Sequence, residues 1–271
     1  MVTIILHTFK DRLGTLAAYC AGSLVFVWLY VALFPFVQKQ GAALAKLMDA
    51  YPKGIMQAFG ITDLAATFTH LGNFLSTELF SFVFPIMLVA LVVGYAAGAL
   101  AGEVERGTIE LLLAQPISRL QLYAARYLAG INMLGAFTIV TIFGILPLAA
   151  AYHVDVSTAD VARFWVVAFL FGLALLSLGF LASSIFSDKG KPTFIVTGLV
   201  IFMYVLNIVA SLKPSLEKLK YLSFFHYYNP AQTLGSGALI DSHTAWVLLG
   251  VSVIATGLGA IIFTHRDLAT T

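Results

Sequence analysis

Six stretches of the chain carry no Asp, Glu, Lys or Arg: Thr15 to Val37, Ser81 to Ala101, Tyr127 to Ala151, Phe164 to Ile185, Thr193 to Leu212 and Ala245 to Phe263. They run for 23, 21, 25, 22, 20 and 19 residues. At a helical rise of about 1.5 Å per residue, even the shortest reaches about 28 Å, close to the hydrocarbon thickness of a bilayer. Backbone groups in lipid must be bonded internally, and the ten-residue alternation of a membrane barrel is absent, so the pattern predicts helices. The expectation is an all-α polytopic membrane protein of six transmembrane helices, forming one domain over residues 1–271.

The first stretch does not read as a cleaved leader. Its apolar run continues for 17 residues past Cys20, and the bulky Tyr19 precedes the cysteine where a lipoprotein site needs a small residue. Before it, Val2, Ile5, Leu6, Phe9 and Leu13 fall at helical spacing with Lys10, Asp11 and Arg12 on the other side. Residues 1–14 are therefore either a short helix lying in the membrane surface or a frayed start. The connections 38–80 and 213–244 are apolar and aromatic, broken by Pro52, Gly54, Gly60, Pro230, Gly235 and Gly237. Such broken pieces predict short helices in or along the outer leaflet, where surrounding protein satisfies the interrupted backbone.

Composition narrows the class. With 60% hydrophobic and 10% charged residues and a mean hydropathy of +0.95, the chain lacks the quarter of charged residues usual in water-soluble domains. A net charge of +2 is too balanced for a nucleic-acid-binding surface. The single cysteine, Cys20, excludes an internal disulfide and any multi-cysteine metal site. Six crossings put both termini on one side with residues 102–126 and 186–192. That side holds eight Lys and Arg against seven on the other, but five Arg against one. The arginine imbalance places both termini in the cytoplasm.

Between the second and third stretches lies the most polar part of the chain, residues 102–126. Gly107 loosens the end of the incoming helix, Thr108 to Gln115 can form two short turns, and Pro116 ends them because the residue before a proline avoids helical angles. Ser118 with Gln121 has the form of a capping box, so the third helix is expected to start there, well before its charge-free part. Ile109, Leu112 and Leu113 make an apolar ridge flanked by Glu103, Glu105, Glu110 and Arg119. Such a ridge, joined to two crossings, either inserts into a groove on a partner or packs on lipid headgroups.

Glu103-x-Glu105-x-Gly107-Thr108-Ile109-Glu110-Leu111-Leu112-Leu113-Ala114-x-Pro116-Ile117-Ser118-Arg119 resembles the signature of the type-two permease family of ATP-binding-cassette (ABC) exporters, at this same place in the chain. Weaker agreement comes from Tyr51-Pro52-x-x-Ile55-x-x-Ala58-Phe59-Gly60 and from Phe225-His226-Tyr227-Tyr228-Asn229-Pro230. The resemblance implies a cytoplasmic coupling helix docked in a cleft of a separate ATPase subunit, with Glu103, Glu105, Arg106, Gly107, Thr108, Glu110, Leu113, Pro116 and Arg119 making that contact. It implies a second contact from the short loop after the fourth span, here Asp188, Lys189 and Lys191. It further implies a pair of permease chains, identical or paralogous, on two ATPase subunits that bind ATP and Mg in a prokaryotic plasma membrane. The substrate route would run near spans two and five, where Phe82, Phe84, Phe202, Met203 and Asn207 are candidates, against the alternative that they face lipid.

The rest of the sequence fits a borrowed energy source. No Gly-x-x-x-x-Gly-Lys-Ser/Thr phosphate loop occurs, since Gly190-Lys191 runs into Pro192. The six charge-free stretches hold no Asp, Glu, His or Arg of the kind that relays ions within a membrane. His70, His153, His226 and His243 lack ligand spacing, and Ser183, Ser184 and Ser236 lack a nucleophile frame, so neither a metal site nor a hydrolase is expected. Gly94, Gly98 and Gly102 form a small-residue stripe that would admit another helix, of this chain or of a second copy. Pro85 and Pro147 predict kinks. Two other classes remain open from the residues alone: an ion-coupled carrier or channel, and a membrane assembly protein without transport.

Overall fold

The computed structural model describes residue 9 and residues 11–48, 64–109 and 117–266. The described residues are helical with no strand. In chain order the helices are α1 (Leu13–Met48), α2 (Leu64–Thr69), α3 (Leu71–Leu75), α4 (Phe84–Ala99), α5 (Ala101–Glu105), α6 (Arg119–Phe143), α7 (Ile145–Ala151), α8 (Thr158–Ile185), α9 (Gly190–Leu212), α10 (Phe224–Tyr227) and α11 (Ser242–His265). Wide π turns over Ser76–Val83 join α3 to α4, a 3-10 helix of about three turns lies at Pro214–Leu222, and a single π turn lies at Ala231–Gly235. Six helical runs are long and apolar enough to cross a membrane: Leu13–Gly41, Leu71–Ala99, Arg119–Ala151, Thr158–Ile185, Gly190–Leu212 and Ser242–His265. The helices thus extend past the charge-free stretches at one or both ends.

The extension matters most in span two. The helical run starts at Leu71, ten residues before the charge-free stretch, and so takes in Glu78. A charge count alone truncates such a span because a helix tolerates an acid in its first turns, near the interface. The π turns have a local cause: Pro85 offers no N–H and its ring crowds the carbonyl four residues back, so the preceding turns widen. Ser81 Oγ donates to the Ser76 carbonyl at 2.7 Å, and Tyr228 Oη donates to the Phe80 carbonyl at 2.9 Å, taking up acceptors in this region. In span three the helix breaks at Gly144, one turn before Pro147, for the same reason.

The centre of the bundle is α8, which packs against α11, α4, α6 and α9. Its contacts are close because small residues sit at the crossings. A methyl on Gly179 would lie 2.7 Å from the Ala96 methyl, and one on Gly172 would lie 2.5 Å from Leu134 Cδ1. Aromatic rings fill the half of the core toward α10: Phe84 stacks on Phe137 at 5.7 Å between centroids, and Phe171 on Tyr228 at 4.5 Å. By contrast α1 and α9 lie at the rim, with Trp28, Phe36, Phe194 and Phe202 exposed. One end of the bundle gathers Arg12, Arg106, Arg119, Arg126 and Arg266, and is called the arginine-rich end below. The connections 64–75 and 213–241 occupy the opposite end as short helical pieces.

Candidate functional site

The polar segment after span two is built by three local devices. Span two breaks at Leu100, where φ is −124° and ψ −67°, leaving backbone groups that need partners. Ser183 on α8 supplies one: its Oγ accepts the Ala101 N–H at 2.9 Å. Helix α5 ends at Glu105, and the chain turns away at Gly107, whose φ of +69° suits glycine, since a side chain there costs about 1–2 kcal/mol. On the far side, Ser118 and Gln121 form the capping box expected from the sequence, with Gln121 N–H donating to Ser118 Oγ at 3.1 Å and Ser118 N–H donating to Gln121 Oε1 at 3.0 Å. The long helix of span three therefore starts at Arg119.

At these ends the charges are organised rather than dispersed. Glu103 pairs with Arg106 at 3.1 Å and with Arg126 of α6 at 3.4 Å, and it also accepts the Thr108 hydroxyl. Glu105 Oε2 accepts the Lys189 backbone N–H at 2.8 Å. Arg119 Nη1 donates to the Arg266 carbonyl at 2.5 Å and is 3.5 Å from that of Thr264. Arg266 in turn donates to the Ser184 and Phe186 carbonyls at 3.1 and 2.9 Å, and to the Ser187 hydroxyl. Two guanidiniums thus cap the last carbonyls of α11 and α8, where the helix dipole favours positive charge. Burial holds the Arg266 guanidinium below its ordinary value.

Of the residues singled out as a contact surface, Glu103, Glu105, Arg106, Gly107, Thr108 and Arg119 are described. Glu110, Leu113 and Pro116 lie outside the described residues, as does the segment from Tyr51 to Gly60. Asp188, Lys189 and Lys191 stand beside the first group through the Glu105 bond. Asp188 pairs with Lys191 at 2.9 Å, and the hydrogen bond from that lysine holds its carboxyl below the usual range. The participation of Arg126 and Arg266 was not legible from motif spacing. The only hint was the concentration of arginine on one side of the chain.

The candidate route residues are scattered. Phe82 lines a cleft of about 660 Å³ between spans two and five, together with Pro85, Ile86, Val89, Ala90, Gly94, Thr197, Ile201 and Tyr204. Phe84 lies in the core against Phe137 and Phe80. Phe202 is exposed on α9, and the carbonyls of Met203 and Asn207 accept hydroxyls from Ser223 and Ser211. No cluster of three or more metal-binding side chains occurs among the described residues.

The described residues thus hold six helical runs long enough to cross a membrane, with ion-paired polar residues at the described ends of the connection between the second and third. A sequence model of ABC-2 family transporter proteins matches residues 3–268, so the chain belongs to that family and is an integral membrane protein. It is also 31% identical over 157 residues to the probable ABC transporter permease protein NosY of Pseudomonas aeruginosa. That match covers 56% of this chain and 54% of the relative, so the chain spans about half the length of the curated relative it matches.

Proposed function

We propose that this chain is the transmembrane subunit of an ATP-driven exporter, and that its arginine-rich end receives force from a separate ATPase subunit. The observation that carries the reading is the bracing of the two described ends of the polar segment after span two, at residues 103–109 and 118–119. It is tied to α6 through Arg126, to the start of α9 through Lys189, and to the ends of α11 and α8 through Arg266. A push on a segment tethered in this way is delivered to four crossings at once, whereas a loop that merely lay on headgroups would need no such tethers.

In this reading the arginine-rich end is cytoplasmic in a prokaryotic plasma membrane, and the short helical pieces at the opposite end lie in the outer leaflet. Glu103, Glu105, Arg106, Gly107, Thr108, Glu110, Leu113, Pro116 and Arg119 form the main contact, with Asp188, Lys189 and Lys191 beside it. Two permease chains act with two ATPase subunits, which bind ATP and Mg. The route passes between the chains near spans two and five, with Phe82, Phe84, Phe202, Met203 and Asn207 as its candidate residues.

The test is reconstitution. Vesicles holding the chain with its ATPase subunit should accumulate cargo only with ATP, and an ATPase subunit whose phosphate-loop lysine is replaced should abolish the uptake. Uphill movement by the chain alone, without nucleotide, would overturn the reading.

A further inference from the structure

The cleft between spans two and five does not end at its apolar wall. Its lining on α4 runs through Ile86, Ala90 and Gly94, and its lining on α9 through Thr193, Thr197 and Ile201. Continued by one helical turn on the same faces, these lines reach Gly98 on one side and Lys189 on the other. A methyl on Gly98 would lie 3.6 Å from Arg12 Nη2 and 3.8 Å from Lys189 Cε. The absence of a side chain at Gly98 therefore leaves room in which two cations converge from different elements.

Among the described residues no carboxylate pairs with the Arg12 guanidinium or the Lys189 ammonium. Of the nearby acids, Glu103 pairs with Arg106 and Arg126, Glu105 accepts the Lys189 backbone N–H, and Asp188 pairs with Lys191. Arg126 adds positive charge to the same neighbourhood, since it and Arg12 both lie within electrostatic range of the Tyr95 hydroxyl. Its Nε is buried without a hydrogen-bond partner.

The cleft itself offers almost nothing to a polar ligand. Its lining carries no charged residue, and two of its four hydroxyls are spent on backbone carbonyls, Ser81 on Ser76 and Thr193 on Lys189. Its wall from Ser81 to Gly94 is about 20 Å long, more than the ~15 Å depth of one leaflet. A volume of about 660 Å³ falls in the range of ligand sites, about 300–1,000 Å³. Phe82, Tyr204 and Phe225 close the far end, with ring centroids 6.1 Å and 5.0 Å apart.

We infer that this is a binding site for a membrane lipid with an anionic headgroup, its acyl chain along the cleft and its phosphate between Arg12 and Lys189. The apolar length supplies affinity for the chain, and the two converging cations select the charge. The inference stands apart from force transmission, because binding is read without nucleotide or ATPase.

The experiment places the purified full chain in an equimolar mixture of phosphatidylglycerol and phosphatidylcholine with matched acyl chains, and measures the lipids retained after detergent extraction by mass spectrometry. Phosphatidylglycerol should be enriched, and the enrichment should fall roughly fivefold for each of Arg12→Gln and Lys189→Gln. Arg12→Lys should keep it, and Ala90→Trp, which fills the cleft, should expel the lipid. Excess inorganic phosphate should not displace it. Equal retention of the two lipids by the unaltered chain would overturn the inference even if every variant misfolded. Full displacement by phosphate would also overturn it, since that shows an anion site without a chain. Unchanged enrichment in folded Arg12→Gln and Lys189→Gln would overturn the placement of the headgroup.

Discussion

The Glu105 carboxylate accepts the Lys189 backbone N–H at 2.8 Å, joining the connection after span two to the one after span four. Residues 84 positions apart thereby form one surface. The bond uses the main chain of Lys189, so it survives any side chain at 189 and depends wholly on position 105. It also satisfies a free N–H at the start of α9, where the positive helix end favours a carboxylate.

Replacing Glu105 by Ala should therefore release the α9 start. A hydrogen bond of this kind contributes about 1 kcal/mol, so amide exchange at Lys189 should accelerate roughly fivefold. Lys189→Ala should leave the amide at position 189 protected. Hydrogen-exchange mass spectrometry over residues 186–192 reads both, and equal protection in all three proteins would deny the bond.

Glu103 should be the costlier acid to remove. Its side chain and that of Arg126 are only 14% and 15% exposed, whereas Arg106 is 51% exposed. Glu103→Gln strands a largely buried guanidinium and should cost about 2–3 kcal/mol. Arg106→Gln breaks an exposed pair and should cost less than about 1 kcal/mol. Thermal unfolding in detergent ranks the two variants, and the reverse order would contradict the buried pairing.

Ser183 holds the break at Leu100 from across the helix interface. Ser183→Ala leaves the Ala101 N–H without its partner in an environment poor in water, and should lower stability by about 1–3 kcal/mol. Ser236→Ala, at an exposed hydroxyl that bonds within its own turn at the opposite end, is the control and should change the melting temperature little.

Much of this architecture is legible in the chain. The six apolar runs give the crossings because lipid punishes every charge, and Ser118 with Gln121 gives the start of α6 because capping is a local interaction. The start of span two was not legible. Glu78 ends the charge-free count at a point where the helix continues, through π turns that depend on Pro85 and on Tyr228 from a distant connection. Nor could the sequence join Glu103 to Arg126 or Arg119 to Arg266, since those pairs exist only once α5, α6 and α11 meet. The Gly94, Gly98 and Gly102 stripe suggested a helix contact. Among the described residues nothing lies within 4 Å of a methyl placed on Gly94, while Gly98 and Gly102 meet arginine and lysine side chains, so within the chain the stripe seats cations, and its reading as a seam to a second copy stays open.

Acidification should loosen the opposite end. Burial holds His226 below the ordinary histidine value, aided by Lys220 and opposed by Asp241. The unfolded chain therefore binds this proton more readily, and stability rises with pH wherever that is so. The contribution is intact above about pH 6.5 and is lost as pH falls through the folded value. His226→Phe keeps a ring beside Tyr221 and Tyr227 and should flatten the pH dependence. Limited proteolysis of residues 213–241 between about pH 7.5 and about pH 5 follows it, and identical profiles for both proteins would exclude His226 as the group.

The most direct measurement of the central claim is site-specific photocrosslinking in intact membranes. A photoreactive residue at Thr108, on the braced segment, should capture a separate ATPase subunit, while the same residue at Asp155, in the turn at the other end of the bundle, should not. Capture from neither position, or equally from both, would contradict the placement of the force-receiving contact at the arginine-rich end.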